Sequence, residues 1–325
     1  MFSYRHAFHA GNHADVLKHT VLIATLEHML EKDTALTVVD THAGAGLYRL
    51  DGDYAGTSGE AAEGVLRLLA AAKAPAKAAP AVAAAPGASP ARKTAKKAAA
   101  EPEAPLADAL ARYLEVVGDF NPKGGAKVYP GSPFIVHHLL REHDKLKLFE
   151  LHPTDARTLD ANIAQLEAGR QITVLRDDGF GSATKFLPPP SRRALVLCDP
   201  SYEIKSDYAR VLDFVAEALK RFATGTYAVW YPIIPRPEAH DLPRRLKTMA
   251  TKAGKSWLHA TLTVKSSKIT TDATGAPHRP GLPASGMFLI NPPYTLKPLL
   301  AAALPQMAER LAQDRNATHS LDSGG

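Results

Sequence analysis

The residues Asp199-Pro200-Ser201-Tyr202 follow directly on the apolar run Ala194-Leu195-Val196-Leu197-Cys198. Their types suit the handling of an exocyclic amine. The lone pair of such a nitrogen, adenine N6 for example, is delocalised into the ring, so it attacks an electrophile poorly unless its two N–H protons are drawn on. A carboxylate and an adjacent backbone carbonyl, here Asp199 and Pro200, can accept both. Proline fixes the backbone at the turn, and Tyr202 offers an aromatic face for a base taken out of its stack. The same four residues also fit an ordinary Asp-Pro turn after a strand. Their meaning therefore depends on what stands at the other strand ends.

Three of those ends carry acidic groups. Leu36-Thr37-Val38-Val39-Asp40 runs into the small-residue turn Thr41-His42-Ala43-Gly44-Ala45-Gly46, of the kind that lets a ligand approach the backbone closely. A single G-x-G is weak evidence by itself. The absence of the later glycine of the dinucleotide fingerprint, together with Asp40, points from a nicotinamide cofactor toward S-adenosylmethionine. Glu150 ends the next strand candidate, where a carboxylate can accept both hydroxyls of a ribose. Asp178-Gly179 ends the third, where Asp178 can accept from an adenine amine and Gly179 admits it closely. Each is also a normal helix cap or turn residue, but four successive strands ending this way argue for one crevice.

Other signals compete. Asn291-Pro292-Pro293-Tyr294 spells an amine-handling tetrapeptide better than the Asp199 loop does. It follows the last strand candidate, however, at the far side of the sheet from the crevice. His6, His9, His13 and His19 have the spacing of a shared helical face and could suggest a metal site. With no cysteine beside them and no need for a Lewis acid in this chemistry, a metal-free reading is preferred. Arg5 and Lys18 in the same segment suit phosphate contacts that position RNA without reading its sequence. Cys198, inside a strand, reads as a small core residue rather than a nucleophile.

The elements that must position these groups follow from periodicity. Strand candidates at Leu36–Asp40, Leu146–Leu151, Ile172–Arg176, Ala194–Asp199, Thr226–Tyr231, Leu258–Lys265 and Gly286–Asn291 alternate with helical patterns such as Thr154–Leu166 and Tyr208–Phe222. That alternation predicts an α/β fold with a doubly wound, mostly parallel sheet of seven strands. Gly59–Ala72 and Leu106–Val117 also read as helices; Leu106, Leu110, Tyr113, Leu114 and Val117 share one apolar face. They flank an Ala/Pro/Lys stretch, about residues 71–105, read as a disordered linker. The predicted organisation is residues 1–50 as the N-terminal segment and first part of the catalytic domain, 51–128 as a helical insert holding that linker, 129–312 as the rest of the domain, and 313–325 as a disordered polar tail.

The chain has 325 residues, one cysteine and a formal net charge of +6. The linker's six basic and two acidic residues supply +4 of that, so the remainder is nearly balanced and overall charge says little about a polyanionic partner. A lone cysteine excludes a disulfide framework, and no segment has the pattern of a membrane span or signal peptide. The expectation is a cytoplasmic, monomeric protein with no membrane and no metal.

On these motifs the chain resembles the bacterial 23S rRNA adenine-N6 methyltransferases of the RlmJ type. The resemblance runs through Tyr4-Arg5-His6-Ala7-Phe8-His9-Ala10-Gly11-Asn12-His13-Ala14-Asp15-Val16-Leu17-Lys18-His19, Asp40 to Gly46, Tyr129-Pro130-Gly131-Ser132-Pro133, Glu150-Leu151-His152-Pro153, Asp178-Gly179-Phe180, Asp199 to Tyr202, and Trp230-Tyr231-Pro232. It implies a Rossmann-like class I methyltransferase fold with a small helical insert after the first strand, S-adenosylmethionine as cofactor and 23S rRNA as partner. It also implies that His19, His42, Ser132, Glu150, Asp178, Gly179 and Asp199 line the cofactor pocket, with Asp199 catalytic beside Pro200 and Tyr202, and that Tyr4 meets the RNA. Ser201 stands where the family's loop has a second proline. The alternatives are a DNA adenine or protein glutamine methyltransferase, or a nonenzymatic RNA-binding module.

Overall fold

Runs such as Ala194-Leu195-Val196-Leu197-Cys198 are apolar at every position, the mark of a strand covered on both faces. In the computed structural model, which describes residues 6–51, 60–73, 105–268, 270–271, 277–278 and 281–325, that is how they are used. The elements in chain order are a 3-10 turn His6–Phe8, α1 (His13–Leu30), β1 (Thr37–Asp40), β2 (Leu47–Arg49), α2 (Glu60–Glu63), α3 (Val65–Lys73), α4 (Asp108–Asp119), β3 (Val128–Pro130), α5 (Ser132–Leu139), β4 (Lys145–Phe149), α6 (Pro153–Ala164), β5 (Ile172–Leu175), α7 (Gly179–Ser182), a 3-10 turn Ala183–Phe186, β6 (Ala194–Cys198), α8 (Ser206–Arg221), β7 (Thr226–Ile233), α9 (Pro237–Lys252), β8 (Trp257–Thr263), β9 (Thr270–Thr271), β10 (Pro277–His278), β11 (Ala284–Ile290), α10 (Leu296–Arg310) and β12 (Thr318–Gly324).

The main sheet has eight strands in the order β12-β8-β11-β7-β6-β1-β4-β5. β1 lies between β4 and β6, parallel to both, so the chain winds one way from β1 through β4 to β5 and then returns to the other side of β1. The carboxyl ends of β1, β4 and β6 therefore border the point where the winding reverses, and there the sheet opens a crevice. β6 alternates between the two cores. Leu195 and Leu197 face one with α1, α4, α5 and α10, while Ala194, Val196 and Cys198 face the other with α8 and α9. Each fully buried aliphatic side chain there contributes roughly 1.5–3 kcal/mol. α8 shows why it docks: Val211, Leu212, Val215, Ala218 and Leu219 are its buried stripe, at helical spacing.

The two segments read as an insert do lie between β1 and β4 as helices. Leu110, Tyr113, Leu114 and Val117 are the buried face of α4, which packs on α1 and α10 and so shares the core of the sheet. The stretch at 74–104 lies outside the described residues, as do Tyr4 and Arg5.

Two expectations are corrected. The sheet has eight strands, because residues 313–325 do not end as a disordered tail: Thr318–Gly324 pairs antiparallel with β8, from Thr318 opposite Thr263 to Gly324 opposite Trp257. The sequence Thr-His-Ser-Leu-Asp-Ser-Gly carries no apolar run. An edge strand is held by its backbone hydrogen bonds and is better served by polar side chains, which discourage pairing with other chains.

Candidate active site

Helix α1 enters the site from the amino terminus. Asn12 caps it, its side-chain oxygen accepting from the N–H groups of Ala14 and Asp15, which removes two of the unpaired donors of a helix start. From His13 to Leu26 every residue is buried, so Asp15 and Lys18, three apart, share one face inside the protein. Lys18 is 4% exposed. Its Nζ donates to Asp15 Oδ1 at 2.9 Å and to Asp199 Oδ2 at 2.5 Å. Asp15 in turn accepts from the Gly11 N–H at 2.8 Å and lies 3.0 Å from His6 Nε2. Burial works against the Lys18 ammonium, but the two carboxylates outweigh it and hold its pKa above the ordinary value. Burial alone would likewise raise Asp15, yet His6 and Lys18 hold it well below the carboxylate range. Lys18 is therefore not a surface contact for RNA phosphate, as its position in a basic segment suggested; it clamps the catalytic candidate from inside.

Asp199 sits at the carboxyl end of β6 with its side chain 14% exposed. Burial raises its pKa, and the Lys18 charge opposes the rise. Oδ2 is taken by Lys18, while Oδ1 has no hydrogen-bond partner among the described residues. The loop beyond it is held by Tyr202, a non-glycine residue at φ +53°, whose hydroxyl donates to the Trp230 carbonyl at 2.7 Å and whose own carbonyl accepts from Arg236 at 3.1 Å. This corrects the expectation of an open stacking face. The ring is 2% exposed and packs at 4.6 Å from the Tyr208 ring, because the left-handed backbone and the Trp230 carbonyl draw it inward.

Around this group the strand ends enclose a cavity of about 780 Å³, lined among others by His19, His42, Ser132, Glu150, Asp178 and Asp199, within the range of small-molecule sites. Glu150, following β4, accepts from the Gly44 N–H through Oε2 and the His152 N–H through Oε1, both at 2.7 Å. Burial raises its pKa against those two bonds, and each oxygen keeps a lone pair. Asp178 caps α7 by accepting from Phe180 N–H at 3.1 Å, and it meets Arg210 of α8. Gly179 cannot be replaced: a Cβ there would lie 2.1 Å from the Thr41 carbonyl oxygen. Burial pushes His42 down to about 3, so it is a neutral ring, bonded to the Thr41 hydroxyl at 2.8 Å. His19 is neutral for the same reason, and its Nε2 is buried without a partner among the described residues. Carboxylates with spare lone pairs, a glycine held against the backbone and an orphaned ring nitrogen fit the hydroxyls, amine and amino-acid portion of S-adenosylmethionine.

Asp40 lies behind the cavity wall, bonded to two residues that line it, Ser132 and His42. It is fully buried, accepts from the Ser132 hydroxyl at 2.6 Å and the His42 N–H at 3.2 Å, and burial raises its pKa to about 6. The folded state thus binds this proton more readily than the unfolded chain, and stability from this group grows as pH falls through about 6 toward 4. Asp40→Asn should remove that dependence. Relative to wild type, the variant's stability advantage at pH 7 should shrink by on the order of 2–3 kcal/mol at pH 4.5, read by urea unfolding at both pH values; a constant difference would contradict it.

Among the residues expected at the site, His19, His42, Ser132, Glu150, Asp178, Gly179, Asp199, Pro200 and Tyr202 all line this one cavity. The partners not anticipated are Asp15, His6 and Arg210; only the three-residue spacing of Asp15 and Lys18 on a capped helix could have hinted at the first. Asn291 lies elsewhere. β11 runs antiparallel to β7, with Ile290 opposite Tyr227 near the start of β7, so the tetrapeptide falls at the amino ends of the parallel strands. There Asn291, at φ +53°, ties down the Ala223 and Gly225 carbonyls. His6, His9, His13 and His19 pair separately with Asp15, Glu60, the Leu282 carbonyl and Tyr129. Cys198 is 1% exposed and burial raises its thiol pKa, which suits a core residue. No described helix is long and apolar enough to cross a membrane.

The comparisons with known proteins agree with this geometry. A family model described as RsmJ, "Ribosomal RNA large subunit methyltransferase D, RlmJ", matches residues 33–86 and 96–322. The chain is 39% identical over 311 residues to "Ribosomal RNA large subunit methyltransferase J" of Escherichia coli (strain K12), covering 96% of this chain and 94% of that one. It is 36% identical over 324 residues to the protein of the same name from Haemophilus influenzae, covering 99% and 98%. The crystal structure of protein LPL1258 from Legionella pneumophila aligns with a TM-score of 0.76 at 26% identity, covering 97% and 98% of the two chains. With matches that take in every strand end of the crevice and nearly the whole length of both relatives, this chain belongs to the RlmJ family of ribosomal RNA large subunit methyltransferases.

Proposed function

We propose that the chain transfers the methyl group of S-adenosylmethionine to the N6 amine of one adenine in 23S rRNA, in the cytoplasm. The observation that carries this reading is the Asp199 carboxylate, fixed through Oδ2 by a buried lysine while Oδ1 meets no donor among the described residues. When bound, S-adenosylmethionine supplies a methyl group made electrophilic by the positive sulfur. His19, His42, Ser132, Glu150, Asp178 and Gly179 would hold it. Asp199 Oδ1 and the Pro200 carbonyl accept hydrogen bonds from the two N6 N–H groups, which returns electron density to the nitrogen and aims its lone pair. Lys18 favours the ionised form of Asp199 in a mostly buried setting, so the acceptor needs little solvent reorganisation. Rate then comes chiefly from positioning and exclusion of water. The proton left on the methylated nitrogen passes to Asp199 or to water. Tyr4, by the resemblance, and Arg5, by its charge, are proposed as RNA contacts; both lie outside the described residues.

Parallel incubations of tritiated S-adenosylmethionine with unmodified 23S rRNA transcript, duplex DNA or a release factor, followed by mass spectrometry of the nucleosides and peptides, test the reading. Label in N6-methyladenosine of the rRNA is expected. Label confined to duplex DNA or to a protein glutamine would overturn it, and cofactor binding with no product in any of these would favour a nonenzymatic RNA-binding module.

A further inference from the structure

His19, one of the residues that would hold the cofactor, begins a buried chain through Tyr129 to Tyr113, and the two phenols have no part in the reaction above. The Tyr129 hydroxyl lies 2.7 Å from His19 Nδ1 and 3.1 Å from the Tyr113 hydroxyl, and all three residues have no exposure. All are neutral. Burial pushes His19 down to about 3 and holds both phenols above their ordinary range.

Counting donors chooses between two proton arrangements. In one, His19 carries its proton on Nδ1 and donates to Tyr129, which donates to Tyr113. The Tyr113 O–H then has no acceptor among the described residues, and the Nε2 lone pair is bare. In the other, Tyr113 donates to Tyr129, Tyr129 donates to Nδ1, and the imidazole proton sits on Nε2. Only that N–H is left over, and His19 lines the cofactor cavity. The second leaves one group unpaired where the first leaves two, and each buried unpaired polar group costs stability.

We propose that Tyr113, from the helical segment between β1 and β4, acts through Tyr129 to hold His19 in its Nε2–H form, so that the ring offers a neutral donor to the carboxylate of the cofactor's amino-acid portion. This rests on the cofactor reading above. The ribose and adenine have their acceptors at Glu150 and Asp178, and the ammonium and sulfonium are cationic. The carboxylate is the strong acceptor left for a buried N–H. Tyr113 and Tyr129 are positioning residues, and through them the helical segment completes the cofactor pocket.

The test uses the full chain labelled with ¹⁵N-histidine, the His19 signals assigned by their loss in His19→Gln. Long-range ¹H–¹⁵N spectra should show Nε2 protonated in wild type. Tyr129→Phe should shift the ring toward the Nδ1–H form, and Tyr113→Phe should do so to a smaller degree. By calorimetry, Tyr129→Phe should weaken S-adenosylhomocysteine about tenfold while 5′-methylthioadenosine, which lacks the amino-acid portion, stays within about twofold. Equal weakening of both nucleosides would mean a loosened pocket and would overturn the inference. An Nδ1-protonated His19 in a wild type that binds both nucleosides would sink the inference alone. Wild type that binds neither would sink the proposed function and this ligand with it.

Discussion

Asp199→Ala should lower methyl transfer to the RNA by about a thousandfold, within the range for losing a positioned proton acceptor together with its orienting role. Alanine removes the Oδ1 acceptor for the N6 amine and leaves the Pro200 carbonyl alone. It does not leave Lys18 stranded, because Asp15 still pairs with it at 2.9 Å, so the fold should survive. Asp199→Asn should fail almost as badly. Its amide oxygen would turn to the Lys18 ammonium that now donates to Oδ2, which points the NH₂ group at the substrate amine, donor against donor. Single-turnover assays with a 23S rRNA transcript, beside S-adenosylhomocysteine binding, decide it. An Asp199→Ala protein that binds cofactor and transfers methyl within tenfold of wild type would refute the mechanism.

Lys18→Met should damage both stability and catalysis. Methionine fills the space but leaves Asp15 and Asp199 without the cation they share in a setting where Lys18 is 4% exposed. Stranding buried carboxylates in this way costs about 3–5 kcal/mol, which urea unfolding would register. The catalytic effect has a sign. Burial already raises the Asp199 pKa and Lys18 restrains it; without the lysine it rises further. A carboxylate with a raised pKa is ionised only above it, so the rise of activity with pH should lie at higher pH in the variant than in wild type. A variant that unfolds like wild type and shows the same pH profile would show that Lys18 is not the clamp.

Much of the fold was legible because parallel strands covered on both faces must be apolar throughout, and runs such as Val38-Val39 and Leu195-Val196-Leu197 are. The acidic residues closing successive strands were legible as a crevice for the same reason: a sheet that winds both ways from β1 brings those ends together. β12 was not, since an edge strand needs only backbone partners and its polar side chains look like a tail. Lys18 read as a phosphate contact because a basic residue among histidines resembles a surface patch. Nothing local says that α1 is buried on every side.

The sequence by itself determined the inventory: which residues could hold an amine, a ribose and a base, and that they stood at strand ends. The tertiary structure alone decided their states. Asp199 is an ion-paired acceptor because a lysine 181 positions earlier in the chain reaches it. Asn291 is a staple rather than a site because β11 runs backward, and Tyr202 is a brace because its hydroxyl finds the Trp230 carbonyl. Charge, direction and exposure depend on neighbours in space, and a pattern along the chain does not carry them.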